Sequence, residues 1–181
     1  EAAAAANGQE PCDIKVQDVD GNGVITTDDR IIYSQRPDVT FGFNNTFNYK
    51  GFDLSVFLYA RLGQWIAYDY NTTYRINALE NVGNVDYWTP ENPTNAFPCP
   101  NKSKSYTQVT YYSTLKYEDG SFFKIRDITL GYTFKPELLK HLNLSKLRVY
   151  ATAKNFFTFS KIDNYDPEQG GSISFPMTKQ L

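Results

Sequence analysis

The chain has 181 residues and a formal net charge of −2, a length that suits one domain and a balance that excludes a global basic footprint for nucleic acid. Aromatic residues make up 16% of it, with Tyr 14, Phe 13 and Trp 2 against Met 1; Tyr and Phe suit pleated surfaces, and Tyr and Trp suit membrane interfaces. No apolar run reaches the roughly 18 residues of a spanning helix, which leaves open a strand that alternates polar and apolar residues and so escapes hydropathy averages.

Residues 1–10 open on Glu1 and a run of alanines, a linker or unassigned stretch with no visible signal peptide. Residues 11–36 carry the sharpest local motif. Asp18-Val19-Asp20-Gly21-Asn22-Gly23-Val24-Ile25-Thr26-Thr27-Asp28-Asp29 matches an EF-hand type of loop. Asp18, Asp20 and Asn22 fill its first, third and fifth positions, Val24 offers a backbone carbonyl at the seventh, and Asp29 stands at the twelfth in place of Glu. Hard oxygen donors at this spacing suit Ca²⁺, and Mg²⁺ less well. The competing reading is an acidic Asn-Gly turn without metal. Residues 12–16 read as extended and only a short helix is expected at 28–33, so the loop reads as a structural staple and not as a switch.

Residues 37–181 read as strands and loops. Val39, Phe41, Phe43, Phe47 and Tyr49 alternate with Thr40, Gly42, Asn44, Thr46 and Asn48; Asn45 breaks the pattern. After a tight turn at Tyr49-Lys50-Gly51, Phe52, Leu54, Val56, Leu58, Ala60 and Leu62 face one way, and Asp53, Ser55, Phe57, Tyr59 and Arg61 the other. A second hairpin pairs residues 121–134 with 146–159. Ile128, Leu130, Tyr132 and Phe134 share a face opposite Asp127, Thr129, Gly131 and Thr133, and its connector, from Pro136 to Leu142, reads as helical turns opened by proline. Arms this long fit a tilted bilayer crossing of about 9–11 residues.

The short connectors fall on one side, and the long segments 63–118 and 160–176 on the other. That asymmetry is usual for an outer-membrane barrel and unusual inside a compact soluble domain. The alternative is a soluble β-sandwich, which alternation alone does not separate. No nucleophile with a base, phosphate loop or carboxylate pair at a recognisable spacing is present, and His141 reads as a surface residue, so no enzyme is expected.

The order of these segments adds a resemblance. It runs from Asp13-Ile14-Lys15 and the Asp18 loop to Thr40-Phe41-Gly42-Phe43-Asn44 and Tyr49-Lys50-Gly51-Phe52-Asp53-Leu54. It continues through Tyr87-Trp88-Thr89-Pro90-Glu91-Asn92-Pro93, Phe122-Phe123-Lys124-Ile125-Arg126-Asp127-Ile128 and Leu147-Arg148-Val149-Tyr150-Ala151. From about residue 11 to about 176 the chain resembles the C-terminal barrel region of the SusC/RagA family of TonB-dependent transporters of Bacteroidetes. The resemblance implies an all-β, antiparallel transmembrane segment, about four strands of a barrel of roughly 22 with a plugged lumen, and long extracellular loops, with the Asp18 loop among them. By the same resemblance, the plug and the final strand are expected to lie outside this chain. It further implies the bacterial outer membrane, outer-membrane lipid, a SusD-like surface lipoprotein lid, the TonB complex, and a glycan or peptide substrate. Phe57, Tyr59 and Arg61 on the presumed lumen face, and Trp88 in its loop, are then candidates for substrate contact. Cys12 and Cys99 stand where the family usually carries other residues, and could form a disulfide or remain two unrelated thiols. The rival function is a secreted, calcium-stabilised carbohydrate-binding β module.

Overall fold

The computed structural model describes residues 16–67, 86–97, 99, 117–162, 165–172, 175 and 177–181. In chain order its strands are β1 (Val39–Tyr49), β2 (Phe52–Leu62), β3 (Trp65–Ala67), β4 (Tyr117–Asp119), β5 (Phe122–Thr133) and β6 (Arg148–Ser160). β1, β2, β5 and β6 form one antiparallel sheet in that order, and β3 pairs with β4 separately. The long strands run to 11, 11, 12 and 13 residues, at or above the length of a tilted crossing. Contacts divide the chain into two units. The sheet and the residues after β6 lie in 35–65 plus 119–181; the Asp18 loop and the Trp88 loop lie in 1–34 plus 66–118.

Local chemistry sets both short connections. Lys50 and Gly51 have φ of 48° and 90°, the mirror-image turn whose twist matches the strands it joins. A side chain at Gly51 would also meet the Thr133 carbonyl at 2.8 Å. The second connection is a short helix, α1 (Pro136–Leu139), opened by its proline, then a 3-10 turn over Lys140–Leu142 that ends at Asn143 in the left-handed region. Leu139 is its buried anchor.

The register sorts side chains into two faces. One carries the rows Phe41, Ala60, Phe123, Phe159 and Phe43, Leu58, Ile125, Phe157 at one end, and Tyr49, Phe52, Tyr132, Val149 at the other. Between them lie Leu54, Val56, Ile128, Leu130, Ala151 and Ala153, with Phe47, opposite Leu54, the one aromatic residue of this middle band. Asn45, opposite Val56, is the one polar residue of this face. Two aromatic bands thus flank an aliphatic one. From Phe41 to Tyr49 the strand covers about 26 Å at ~3.3 Å per residue, close to the apolar belt of an outer-membrane barrel once tilted. Phe41, Phe43, Phe47, Phe52, Leu130 and Phe159 are all exposed. A sandwich would bury this face against a second sheet; a barrel turns it to lipid.

One expectation needed revision. The alternation of Ile128 to Phe134 does not extend unbroken back to residue 121. From Leu58 to Val56 is two steps on β2, from Ile125 to Ile128 three on β5, and from Phe157 to Ala153 four on β6. Arg126 is the extra residue on β5, and on β6 the extra step falls at Asn155–Phe156, where Asn155 has φ 54°. Each bulge adds one unpaired residue, and the one at Arg126 brings the phase of Phe123 and Ile125 into line with that of Ile128.

The band arrangement predicts a depth-dependent response. In the protein refolded into lipid vesicles, Val56→Arg should lower unfolding free energy by roughly 2–4 kcal/mol, and Phe41→Arg by about 0–1. Denaturant titration checks this; equal costs at the two positions would contradict a lipid-facing sheet.

Candidate functional site

The second face of the sheet is polar, and it holds the candidate site. Its centre is Lys124, which β5 projects inward and which is fully buried. Its Nζ donates to both Asp166 oxygens at 2.7 Å and to Glu168 Oε2 at 2.8 Å. Both carboxylates come from the turn after β6. Asp166 caps a 3-10 turn over Pro167–Gln169 by accepting from the Glu168 N–H, and Pro167 fixes its first position. Arg126, displayed by the β5 bulge, takes the other Glu168 oxygen at 3.0 Å. A buried cation needs such partners, since leaving it unpaired costs several kcal/mol. The turn is thereby strapped onto the polar face.

The three candidates on β2 gather beside this clamp. Tyr59 is central. The Arg61 guanidinium lies over its ring at 5.6 Å and that of Arg126 at 5.4 Å. Arg61 Nε donates to the Tyr59 hydroxyl at 2.8 Å. Phe122 and Phe57 stand 5.8 and 6.4 Å from Tyr59, ring to ring. Gly42, directly opposite Tyr59 on β1, leaves room beside these rings. Sequence reasoning missed Phe122, Lys124 and Arg126 as members. The clamp joins residues 42 and 44 apart, and its one local signal was Asp166-Pro167-Glu168 as a turn opener.

Toward the short-turn end the same face is closed by a forked ion pair. Arg148 grips Asp53, with Nε to Oδ1 at 3.0 Å and a second bond from its terminal nitrogen to Oδ2. The pair passes over Gly131, where a Cβ would lie 2.6 Å from both partners. Between the two ends Thr129 and Thr152 share a hydroxyl hydrogen bond of 2.9 Å.

Trp88 lies in the other unit, half-buried in a loop that is internally bonded. Its N–H donates to the Phe97 carbonyl at 3.1 Å. The Asp86 carboxylate accepts from the Asn92 amide at 2.9 Å and the Thr94 hydroxyl at 2.7 Å. These two donors, Asn92 first, hold the Asp86 carboxyl below the usual carboxylate range.

In the Asp18 loop three carboxylates converge. Carboxylate oxygens of Asp18, Asp20 and Asp29 come within 4.8 Å of one another. Asp18 accepts from the Gly21 and Gly23 N–H groups, both at 2.7 Å, and Asn22 Oδ1 from Val24 at 2.7 Å. Gly23 turns the chain at φ 84°. Asp29 reaches back across the loop, accepting from Val19 at 2.8 Å and from Thr26 at 2.7 Å, and completes a capping box with Thr26. The donors Asp18, Asp20, Asn22 and Asp29 are all hard oxygens, which fits Ca²⁺. A 3-10 turn over Thr27–Asp29 makes up the last three residues of the loop, and the chain is extended from Arg30, in place of the short helix expected at 28–33. Cys99 is disulfide-bonded. Cys12, with residues 1–10 and most of the segment 63–118, lies outside the described residues.

No protein-family model matches the chain. Individual relatives do. It is 33% identical over 154 residues to TonB-dependent receptor P3 of Formosa agariphila, covering 83% of this chain and 15% of that one. It is 32% identical over 170 residues to TonB-dependent receptor SusC of Bacteroides thetaiotaomicron, covering 92% of this chain and 16% of that one. A chain of the RagAB peptide importer in its open-open state superposes with a TM-score of 0.59 at 25% identity, over 86% of this chain and 18% of that one. The chain belongs to the TonB-dependent receptors, proteins of the bacterial outer membrane. Within that class it is of the SusC/RagA type, and it spans 15% and 16% of the length of the two curated relatives.

The lowered Asp86 pKa sets a pH response. Its folded value lies below its unfolded one, so its contribution is complete above about pH 4 and is lost as pH falls through the folded value. Amide hydrogen exchange across residues 86–97, corrected for intrinsic rates, should therefore accelerate only below about pH 4. In Asp86→Asn that acid-induced step should vanish.

Proposed function

We propose that the chain forms four strands of the wall of an outer-membrane importer for oligosaccharides or peptides. A SusD-like lipoprotein covers its outer mouth, and TonB drives it through parts of the receptor that precede this segment. The observation that carries this reading is the division of the sheet, with two aromatic bands on one face and a charged, strapped face on the other. The similarity to SusC, and to an importer whose described cargo is peptide, supports the same reading. The chain's part is structural and cargo-contacting, with no covalent chemistry. Uptake of fluorescently labelled oligosaccharides and peptides by cells lacking the receptor should fall to background and return on complementation. Unchanged uptake of every tested oligomer would refute the proposal. The rival, a secreted carbohydrate-binding module, requires a detergent-free soluble protein, and the exposed apolar face argues against it.

We also propose that Asp18, Asp20, Asn22, Asp29 and the Val24 carbonyl hold a Ca²⁺ ion, with Mg²⁺ a weaker occupant, and that this ion staples the loop. Support comes from the converging carboxylates and the left-handed turn at Gly23. In the full-length receptor, chelation should speed proteolysis within residues 18–29, and calcium should restore protection. Asp18→Asn with Asp20→Asn should cut as fast with calcium as without it; protection by calcium in that double variant would refute the site. Cys99 has one possible partner inside the chain, Cys12, and we propose that pairing as a second staple. Non-reducing peptide mapping should recover the two cysteines in one linked species, and separate alkylation of each would exclude it.

A further inference from the structure

Among the described residues, the ion pairs of the polar face leave out one cation that is nevertheless held in place. Lys124 is held by Asp166 and Glu168, and Arg126 by Glu168. Arg148 is paired with Asp53, and Lys154 stands directly opposite Asp127 across the β5–β6 ladder. Arg61 has no carboxylate partner among the described residues. Its side chain is nevertheless held in place: Nε is bonded to the Tyr59 hydroxyl and the guanidinium lies over the Tyr59 ring. The two terminal nitrogens donate to none of the described residues, and the residue is only half-buried.

We infer that Arg61 is a subsite for a carboxylate on the imported oligomer, a step that rests on the importer reading above. A guanidinium offers a planar fork that takes a carboxylate through two parallel hydrogen bonds. Fixing it on Tyr59 beforehand reduces the ordering cost of binding. Phe57, Tyr59 and Phe122 form an apolar wall beside it, which displaces water and strengthens a charge-assisted bond. Arg126, 5.4 Å from the centre of the same ring and 39% exposed at its side chain, adds positive potential although one of its bonds is taken by Glu168. The excess positive charge sits at the long-loop end of β2, one residue before the strand ends at Leu62. The carboxylate can be the free C-terminus of a peptide or the acid group of a uronic sugar; both present the same two oxygens.

Calorimetry on the purified full-length receptor separates these cases with two matched probe pairs. One pair is a hexapeptide with a free C-terminus and its amide; the other is trigalacturonate and its methyl ester. In at least one pair the acid should bind roughly tenfold tighter than its neutral partner, a difference of about 1.4 kcal/mol. Arg61→Gln should erase that difference by weakening the acid far more than its neutral partner. Arg61→Lys, which keeps the charge without the fork, should retain part of it and serves as the check that β2 still folds. A preference for the acid that survives Arg61→Gln overturns the inference, and so does equal binding of acid and neutral forms by the unsubstituted receptor. In both of those results binding itself persists, so the importer reading stands. Binding of no member of either pair removes both.

Discussion

A lysine ammonium withdrawn from water is the constraint around which the polar face is organised. Lys124 is fully buried, and its charge is tolerable only because two carboxylates reach it at 2.7 and 2.8 Å. Those carboxylates come from a turn after β6, so the same contacts that neutralise the lysine also fix residues 166–169 against β5. Glu168 carries the arrangement one step further, because its second oxygen takes Arg126, the residue that the β5 bulge adds. Remove the lysine and two acids face each other with only Arg126 nearby; remove the acids and a bare cation is left in a closed space. In either case the strap has no other tie of comparable strength among the described residues.

The two faces follow opposite rules. On the apolar side, aromatic residues gather toward the two ends and aliphatic residues, with Phe47 among them, lie between, so position along the strand determines what is tolerated. On the polar side, pairing works by charge and reach. Arg148 spans β5 to grip Asp53, and it can do so because Gly131 presents no side chain between them. A Cβ there would displace the guanidinium, so the glycine belongs to the ion pair as much as either charged residue.

Much of this was legible in the sequence where the information is local. The period-two alternation of β1 and β2, the Lys50-Gly51 turn, the proline-opened connector and the spacing of the Asp18 loop are all short-range patterns, and the structure has them at those residues. The candidates Phe57, Tyr59 and Arg61 came from a face assignment within one strand, which parity alone decides. What was not legible depends on residues far apart. Nothing near Lys124 announces Asp166 and Glu168. The phase change in β5 was hidden because Phe122 and Phe123 are both aromatic, so either phase reads as plausible over residues 122–126. Only the neighbouring strands decide it, through the pairing of Ile125 with Leu58 and Phe157.

That phase change has a consequence for how the wall can vary over evolution. Loops accept insertions and deletions because their backbones answer to few partners. Straightening the bulge while keeping Arg126 would be of another kind. It would keep every residue and yet rotate the half-strand before it, so that Lys124 and Phe122 would point into the bilayer and Phe123 and Ile125 into the lumen. The residue and the bulge are therefore tied to each other: deleting Arg126 along with the bulge would leave both faces in phase and remove only the side chain that reaches Glu168. In related receptors, a β5 without the bulge should be one residue shorter here.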